Sequence, residues 1–311
     1  MAAREGFRRQ VVLLVQILPF VADEGCFALK GGTAINLFHR DLPRLSVDID
    51  LTYLPIEDRT ASLTAIGAAM RRIADSISSR VPRSHVHALH VPGSNTVTKL
   101  NVRTPDAQVK LEVTPVLRGC VYTPEARSVS ARVEQEFGFA EMQLLPFPDL
   151  FAGKIVAALD RQHPRDLFDV RDLLANEGIS DELRTAFIVY LISHNRPISE
   201  VIAPSRKDIS REFERGFRGM TEHPVSIEEL LDARERLIKD IVGNMPRGHK
   251  HFLLSFEAGN PDWSLLDVPN AEQLPAVRWR MENLARLRPE RRSALLQDLE
   301  TALELSRNRG Q

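Results

Sequence analysis

Residues 29–51 constrain the fold of this chain most: Leu29-Lys30-Gly31-Gly32-Thr33-Ala34, then Arg44-Leu45-Ser46-Val47-Asp48-Ile49-Asp50-Leu51. In a strand, residues two apart point the same way, so Asp48 and Asp50 share one face while Val47, Ile49 and Leu51 share the other. A strand that buries one face and sets two like charges on the other is relieved of their repulsion by a bound cation. The glycine pair just upstream opens a helix whose first backbone N–H groups attract phosphate oxygens, and glycine lets those oxygens come close. In this order and at this separation, the two features form the layout that holds a nucleoside triphosphate and its divalent metal.

The rest of the composition limits the setting. With 311 residues, 43% of them hydrophobic and 27% charged, the chain has the profile of a globular protein with a large core. Its formal net charge of −1 provides no global field for nucleic acid, so a polyanion would have to meet a local patch. Cys26 and Cys120 lie in apolar surroundings without metal-type spacing and read as reduced core residues of a cytoplasmic protein. The apolar run Val11–Ala22 contains Gln16 and Pro19 and is too short to cross a bilayer, so no membrane partner is expected.

Hydrophobic periodicity divides the chain into an α/β half and a helical half. Phe7, Val11, Leu14, Val15 and Leu18 recur at helical spacing, and Leu63, Ile66, Met70, Ile73 and Ile77 do so again within a helix over 59–80. Short strands are expected over 26–30, 46–53, 85–91, 96–103 and 108–117, with a helix over 32–40. From Pro146 onward helices follow at about 148–161, 165–176, 181–194, 209–220, 227–242, 271–287 and 289–306. Two domains, 1–145 and 146–311, are therefore expected.

Further candidates lie outside the diglycine and acid strand. On the strand over 108–117, Glu112 shares a face with Lys110 and Thr114; beside the acid strand it adds a third carboxylate, or else it is an ordinary surface charge. Thr33 suits either a phosphate contact or a helix cap, and Lys30 either a phosphate or solvent. Lys154 interrupts a small, apolar helix stripe and either snorkels or points into a cleft. Arg165 and Asp169 lie one turn apart, and Asp166 suits the helix dipole of a first turn. His85 and His87 share a strand face with no partner carboxylate or cysteine nearby. Over 278–292, Arg278, Arg280, Arg286, Arg288, Arg291 and Arg292 surround Trp279, a pattern that suits RNA as well as a plain solvated face.

Taken together, Gly31-Gly32-Thr33, the Arg44-x-Ser46-x-Asp48-x-Asp50 strand, Lys154 and Arg165-Asp166-x-x-Asp169 resemble the AbiEii/AbiGii toxin family, which includes MenT-type toxins, within the DNA polymerase β-like nucleotidyltransferase superfamily. The resemblance spans roughly residues 27 to 175. It implies an α/β (α+β) nucleotidyltransferase core with a mixed sheet, followed by a mostly α-helical C-terminal domain. It also implies transfer of a nucleoside monophosphate from an NTP to RNA, typically tRNA, in a toxin–antitoxin or abortive-infection system that defends bacteria against phage, with an AbiEi-like antitoxin as partner.

Asp48, Asp50, Lys154, Asp166 and Asp169 are then the expected catalytic residues, with the late essential acid being either Asp166 or Asp169. Lys30, Gly31, Gly32, Thr33, Arg44, Ser46 and Lys154 would hold the nucleotide. Asp48, Asp50 and Glu112 would hold Mg²⁺ or Mn²⁺, and Arg278, Arg280, Arg286 and Arg288 would meet RNA. The alternatives are transfer to a protein or small-molecule hydroxyl, or a catalytically silent nucleotide-binding partner.

Overall fold

The computed structural model describes residues 2–91 and 93–308. They fall into two compact units, Met1–Pro146 with Gly219–Pro224, and Phe147–Arg218 with Val225–Gln311. The first unit runs α1 (Ala2–Ala22), β1 (Phe27–Lys30), α2 (Gly31–Ala34), a π-helical turn (Ile35–His39), β2 (Asp48–Tyr53), α3 (Arg59–Arg80), β3 (His85–His90), β4 (Val97–Arg103), β5 (Gln108–Val113), β6 (Glu125–Ser128), α4 (Ala131–Phe137) and β7 (Glu141–Leu144).

These strands form one mixed sheet in the order β3-β4-β5-β2-β1-β7-β6. The acid strand β2 lies at its centre, antiparallel to β1 and parallel to β5. Alternate residues explain why the sheet has one dry side: Ile49, Leu51, Leu100, Val102, Val109 and Leu111 are fully buried, and α1 and α3 pack against the strands. The opposite side keeps Asp48, Asp50, Lys99, Asn101, Lys110 and Glu112 partly open to water.

β6, α4 and β7 were not anticipated, because strands of four residues carry too little alternation to register. The cysteines correct another expectation: Cys26 and Cys120 are free but half-buried rather than core. A segment from the helical half also returns to this unit. Thr221 forms an isolated bridge with Arg44, Leu45 donates its N–H to the Met220 carbonyl (2.9 Å), and Glu222 donates to Pro43 (3.0 Å). The helix expected over 209–220 accordingly stops at Gly216, and after a turn over 217–219 the chain pairs at Thr221 with the approach to β2.

The second unit is helical: α5 (Phe147–Asp160), α6 (Pro164–Asn176), α7 (Asp181–Ile192), α8 (Ile198–Ile202), α9 (Ser210–Gly216), α10 (Ile227–Leu237), α11 (Arg247–Glu257), α12 (Pro275–Ala285) and α13 (Pro289–Asn308). Ser226 and Glu229 close a capping box at the head of α10. Helix α11 was not anticipated; Pro246 precedes it and no side chain caps its start, so the usual entry signal is missing. Buried Phe151, Phe187, Phe252 and Phe256 supply much of the bulk of this core.

Ile49 ties the fold to the acids, since its buried side chain sets which way Asp48 and Asp50 point. Ile49→Ala should cost about 2–5 kcal/mol by urea unfolding, as expected for a truncated core aliphatic.

Candidate active site

Strand register places the first cluster. Lys99 on β4 lies opposite Glu112 on β5, Glu112 opposite Asp50 on β2, and Asp50 opposite Lys30 on β1. Residues opposite one another share a face, so four strands present the row Lys99–Glu112–Asp50–Lys30, two adjacent carboxylates flanked by a lysine on each side. One pleat away, Asp48 lies opposite Lys110. The carboxylate repulsion within β2 is thus relieved in part by lysines on neighbouring strands. Lys30 also donates from Nζ to Thr114 Oγ1 (3.1 Å). Its burial lowers its pKa, and the Asp50 and Glu112 charges oppose that shift.

Glu112 stands next to Asp50, but its two oxygens meet Lys99 (2.8 Å) and Lys110 (3.1 Å). The third metal carboxylate expected from the sequence is instead bound up in lysine pairs. Burial would raise its pKa, but hydrogen bonds to these lysines outweigh that and hold it down. Among the described residues, no three His, Cys, Asp or Glu side chains gather as a metal group. Asp48 and Asp50 remain as two hard oxygen donors on one strand face. That fits an ion such as Mg²⁺, which takes one or two carboxylates and completes its shell with substrate phosphates and water.

The diglycine is fitted against this row. Gly31 has φ +75°, and a Cβ built on it would sit 2.8 Å from Asp50 Oδ2. A Cβ on Gly32 would sit 2.6 Å from Arg44 Nη2 and 2.9 Å from Ser46 Oγ. Arg44 and Ser46 are both buried, and Arg44 donates from Nη1 to the Leu45 carbonyl (3.1 Å). The Thr33 hydroxyl shares a hydrogen bond with Ser46 Oγ (3.1 Å) and donates to the Asp48 carbonyl. That hydroxyl ties α2 to the acid strand. Lys30, Gly31, Gly32, Thr33, Arg44, Ser46, Asp48, Asp50 and Glu112 all belong to the first unit, on or beside its central strands.

The second unit carries its own charged cluster. Lys154 on α5 lies 2.9 Å from Asp166 Oδ1 and 3.0 Å from Asp169 Oδ2 on α6. The lysine side chain is 7% exposed and each acid 1%, so Lys154 does not snorkel. Asp169 pairs with Lys154, rather than with Arg165 one turn away as the sequence suggested. Arg161, which sequence reasoning passed over, donates from Nε and Nη2 to the two oxygens of Asp166. Burial would raise the Asp166 pKa, but Lys154 and the Arg161 guanidinium outweigh it and hold the carboxyl well below the usual range.

The turn between α5 and α6 is fixed by Gln162, also missed, whose φ is +53°. It is buried; its amide donates to Ser205 O (2.8 Å) and accepts from Lys207 N and Arg234 Nη1 (3.0 Å each). Burial and these three bonds hold Gln162 in a left-handed conformation uncommon outside glycine, and nothing local in sequence announces it.

The arginines over 278–292 separate into two groups. Arg280 turns inward to buried Glu257 (3.6 Å), and Arg292 donates to the Leu284 carbonyl (2.7 Å). Arg278 and Arg288 are exposed, and Arg286 lies over the exposed Trp279 ring at 6.0 Å. Arg280 thus leaves the set expected to meet RNA.

The mixed sheet bears two aspartates on one face of its central strand, with a diglycine turn packed against them. The fold matches that of MenT4, a nucleotidyltransferase toxin from Mycobacterium tuberculosis H37Rv, with a TM-score of 0.53 at 14% identity over 98% of this chain and 97% of that one. Terminal uridylyl transferase 4 from Trypanosoma brucei with bound dUTP aligns over 96% of this chain and 97% of its own at 10% identity, with a TM-score of 0.28, too distant to bear on the fold. No curated protein matches. The family model for the nucleotidyl transferase AbiEii toxin, Type IV TA system, matches residues 12–283, and the chain belongs to that family.

Two substitutions test these clusters. Gly31→Ala forces a methyl group against Asp50 and strains a left-handed backbone; NTP binding measured by calorimetry should fall at least about tenfold, with little change in circular dichroism. Asp166→Asn leaves the Lys154 and Arg161 cations undercompensated and should destabilise by about 3–5 kcal/mol at neutral pH. Because the folded pKa of Asp166 is depressed, its stabilisation is fully present above about pH 5 and is lost as pH falls through and below the unfolded value near about 3.9. The gap in melting temperature between wild type and Asp166→Asn should therefore narrow as pH falls through the acid range.

Proposed function

We propose that this protein transfers a nucleoside monophosphate from an NTP to a hydroxyl of RNA, with tRNA as the acceptor, and that Asp48 and Asp50 hold the Mg²⁺ (or Mn²⁺) that accompanies the triphosphate. One observation carries this reading: the two acids share the open face of the central strand, and Gly31 is shaped to the carboxylate of Asp50. When bound, the divalent ion screens the triphosphate charge and favours the deprotonated acceptor.

The residues of the chain do the rest. The Gly31–Gly32 backbone approaches the phosphates, with Arg44 and Ser46 behind it, and Thr33 fixes the spacing between that turn and Asp48. Lys30 and the Lys99–Glu112–Lys110 group set the local charge. The acceptor oxygen attacks the α-phosphorus, and the bond to the bridging oxygen breaks. Pyrophosphate leaves with that electron pair, and the hydroxyl proton passes to solvent. In the second unit, Asp166 and Asp169 hold Lys154 in place, a lysine point charge of the kind suited to a phosphate oxygen. The family description includes a toxin–antitoxin system, and we assign an AbiEi-like antitoxin as its partner, in a cytoplasmic setting of phage defence. No helix among the described residues is long and apolar enough to cross a membrane.

Purified protein incubated with total tRNA and each α-labelled NTP should move label into RNA. Chelation by EDTA should stop transfer, and Asp48→Ala should reduce it at least about hundredfold while keeping the fold. A folded Asp48→Ala variant with full activity would remove the metal role. Label appearing in protein or a small product instead of RNA would replace the acceptor.

A further inference from the structure

The side of the sheet away from α1 and α3 carries chemistry that the acid pair does not account for. From Asp48 outward, register sets Lys110, Asn101 and His87 in one row across β5, β4 and β3. A second row holds Gln108, Arg103 and His85. A third holds Asp50, Glu112, Lys99 and Leu89. All these side chains share one face, because residues opposite one another on paired strands do. They are open to water: Lys99 and Lys110 are 43% and 41% exposed, and Arg103, His85 and His87 are exposed.

We infer that this face, from Asp48 to the edge strand β3, is the track on which a single-stranded segment of the RNA acceptor lies; the inference rests on the RNA reading above. Charge is the first reason. On β4 and β5, outward of the acid strand, Lys99, Lys110 and Arg103 stand against Glu112, an excess of two positive charges that Asp48 and Asp50 on β2 balance over the whole face. That excess suits phosphates and lies against the acid pair instead of on a remote surface. Arg103 is held in place by Gln108, whose Oε1 accepts from its Nε (3.2 Å) and Nη2 (2.9 Å).

Ring spacing is the second reason. His85 and His87 repeat along the strand at about 6.8 Å, twice the roughly 3.4 Å step between stacked bases, so one unstacked base fits between the imidazoles. Reach is the third. Three interstrand steps separate Asp48 from His87, about 14 Å in all, the length of a few nucleotides. A flat sheet with rings and cations reads unpaired bases, whereas a duplex would present only its backbone.

The competing reading is that His85 and His87 merely keep an edge strand soluble. The test uses the full chain and the variant His85→Ala/His87→Ala/Arg103→Ala, none of which holds nucleotide or metal. Fluorescence anisotropy with bulk tRNA and with a short unstructured RNA should show binding weakened at least about tenfold. The slope of log K against log salt should shrink by about 0.7 for the lost phosphate contact. NTP affinity should be unchanged. The inference fails if the triple variant binds RNA like the wild type while wild-type protein still labels RNA. It also fails if Trp279→Ala/Arg286→Ala on α12 abolishes RNA binding and the triple variant does not. Should wild-type protein label no RNA at all, the acceptor reading falls, and this track falls with it.

Discussion

The row of charges across β4, β5, β2 and β1, two carboxylates between two lysines, is the interaction on which the first unit depends. Two aspartates on one strand face repel each other, and the neighbouring strands answer with Lys30, Lys99 and Lys110 rather than with apolar residues. A central strand can carry such a face only if its other face is dry, which Ile49, Leu51 and Leu111 ensure beneath α1 and α3. Lys99 on β4 and Lys110 on β5 itself pair with the two oxygens of Glu112, beside Asp50. An ion bound there would be held by few protein oxygens and would depend on the phosphates it arrives with, as is usual for magnesium.

Close approach is the second constraint. Gly31 and Gly32 are required less for flexibility than for absence: a methyl group on either would overlap Asp50, or Arg44 and Ser46. Thr33 then ties the turn to the Asp48 carbonyl, so turn and acid strand form one rigid body. Arg44 is braced from the far end of the chain by the Gly219–Pro224 segment. The second unit solves a different problem, the burial of three charges, by pairing Lys154 with Asp166 and Asp169, adding the exposed Arg161 to Asp166, and locking the intervening turn with Gln162. Buried ionic groups of this kind tolerate little rearrangement, because separating any one of them leaves an uncompensated charge.

Much of this was legible in the chain itself. Period-two alternation around Asp48 and Asp50 put both acids on one face, and the diglycine ahead of them marked the turn. The helical stripe of Leu63, Ile66, Met70, Ile73 and Ile77 marked the helix realised as α3. Illegible were β6, α4 and β7, whose brevity hides their period, and α11, which lacks an entry cap. Glu112, Thr33 and Arg280 have partners that no local spacing rule announces. Each is far away in sequence: Lys99 for Glu112, Asp48 for Thr33 and Glu257 for Arg280.

The sequence by itself determined which residue types meet a phosphate and a cation, their order, and the face each occupies, because strand and helix periods are local properties of the backbone. Only the tertiary structure decided which charges neutralise one another, since strand register and helix packing bring together residues that no spacing rule relates. It alone showed that Lys154 is held by two acids and not by one, that Gly219–Pro224 returns to brace Arg44, and that β3, β4 and β5 turn a basic and imidazole-bearing face toward water beside the aspartates.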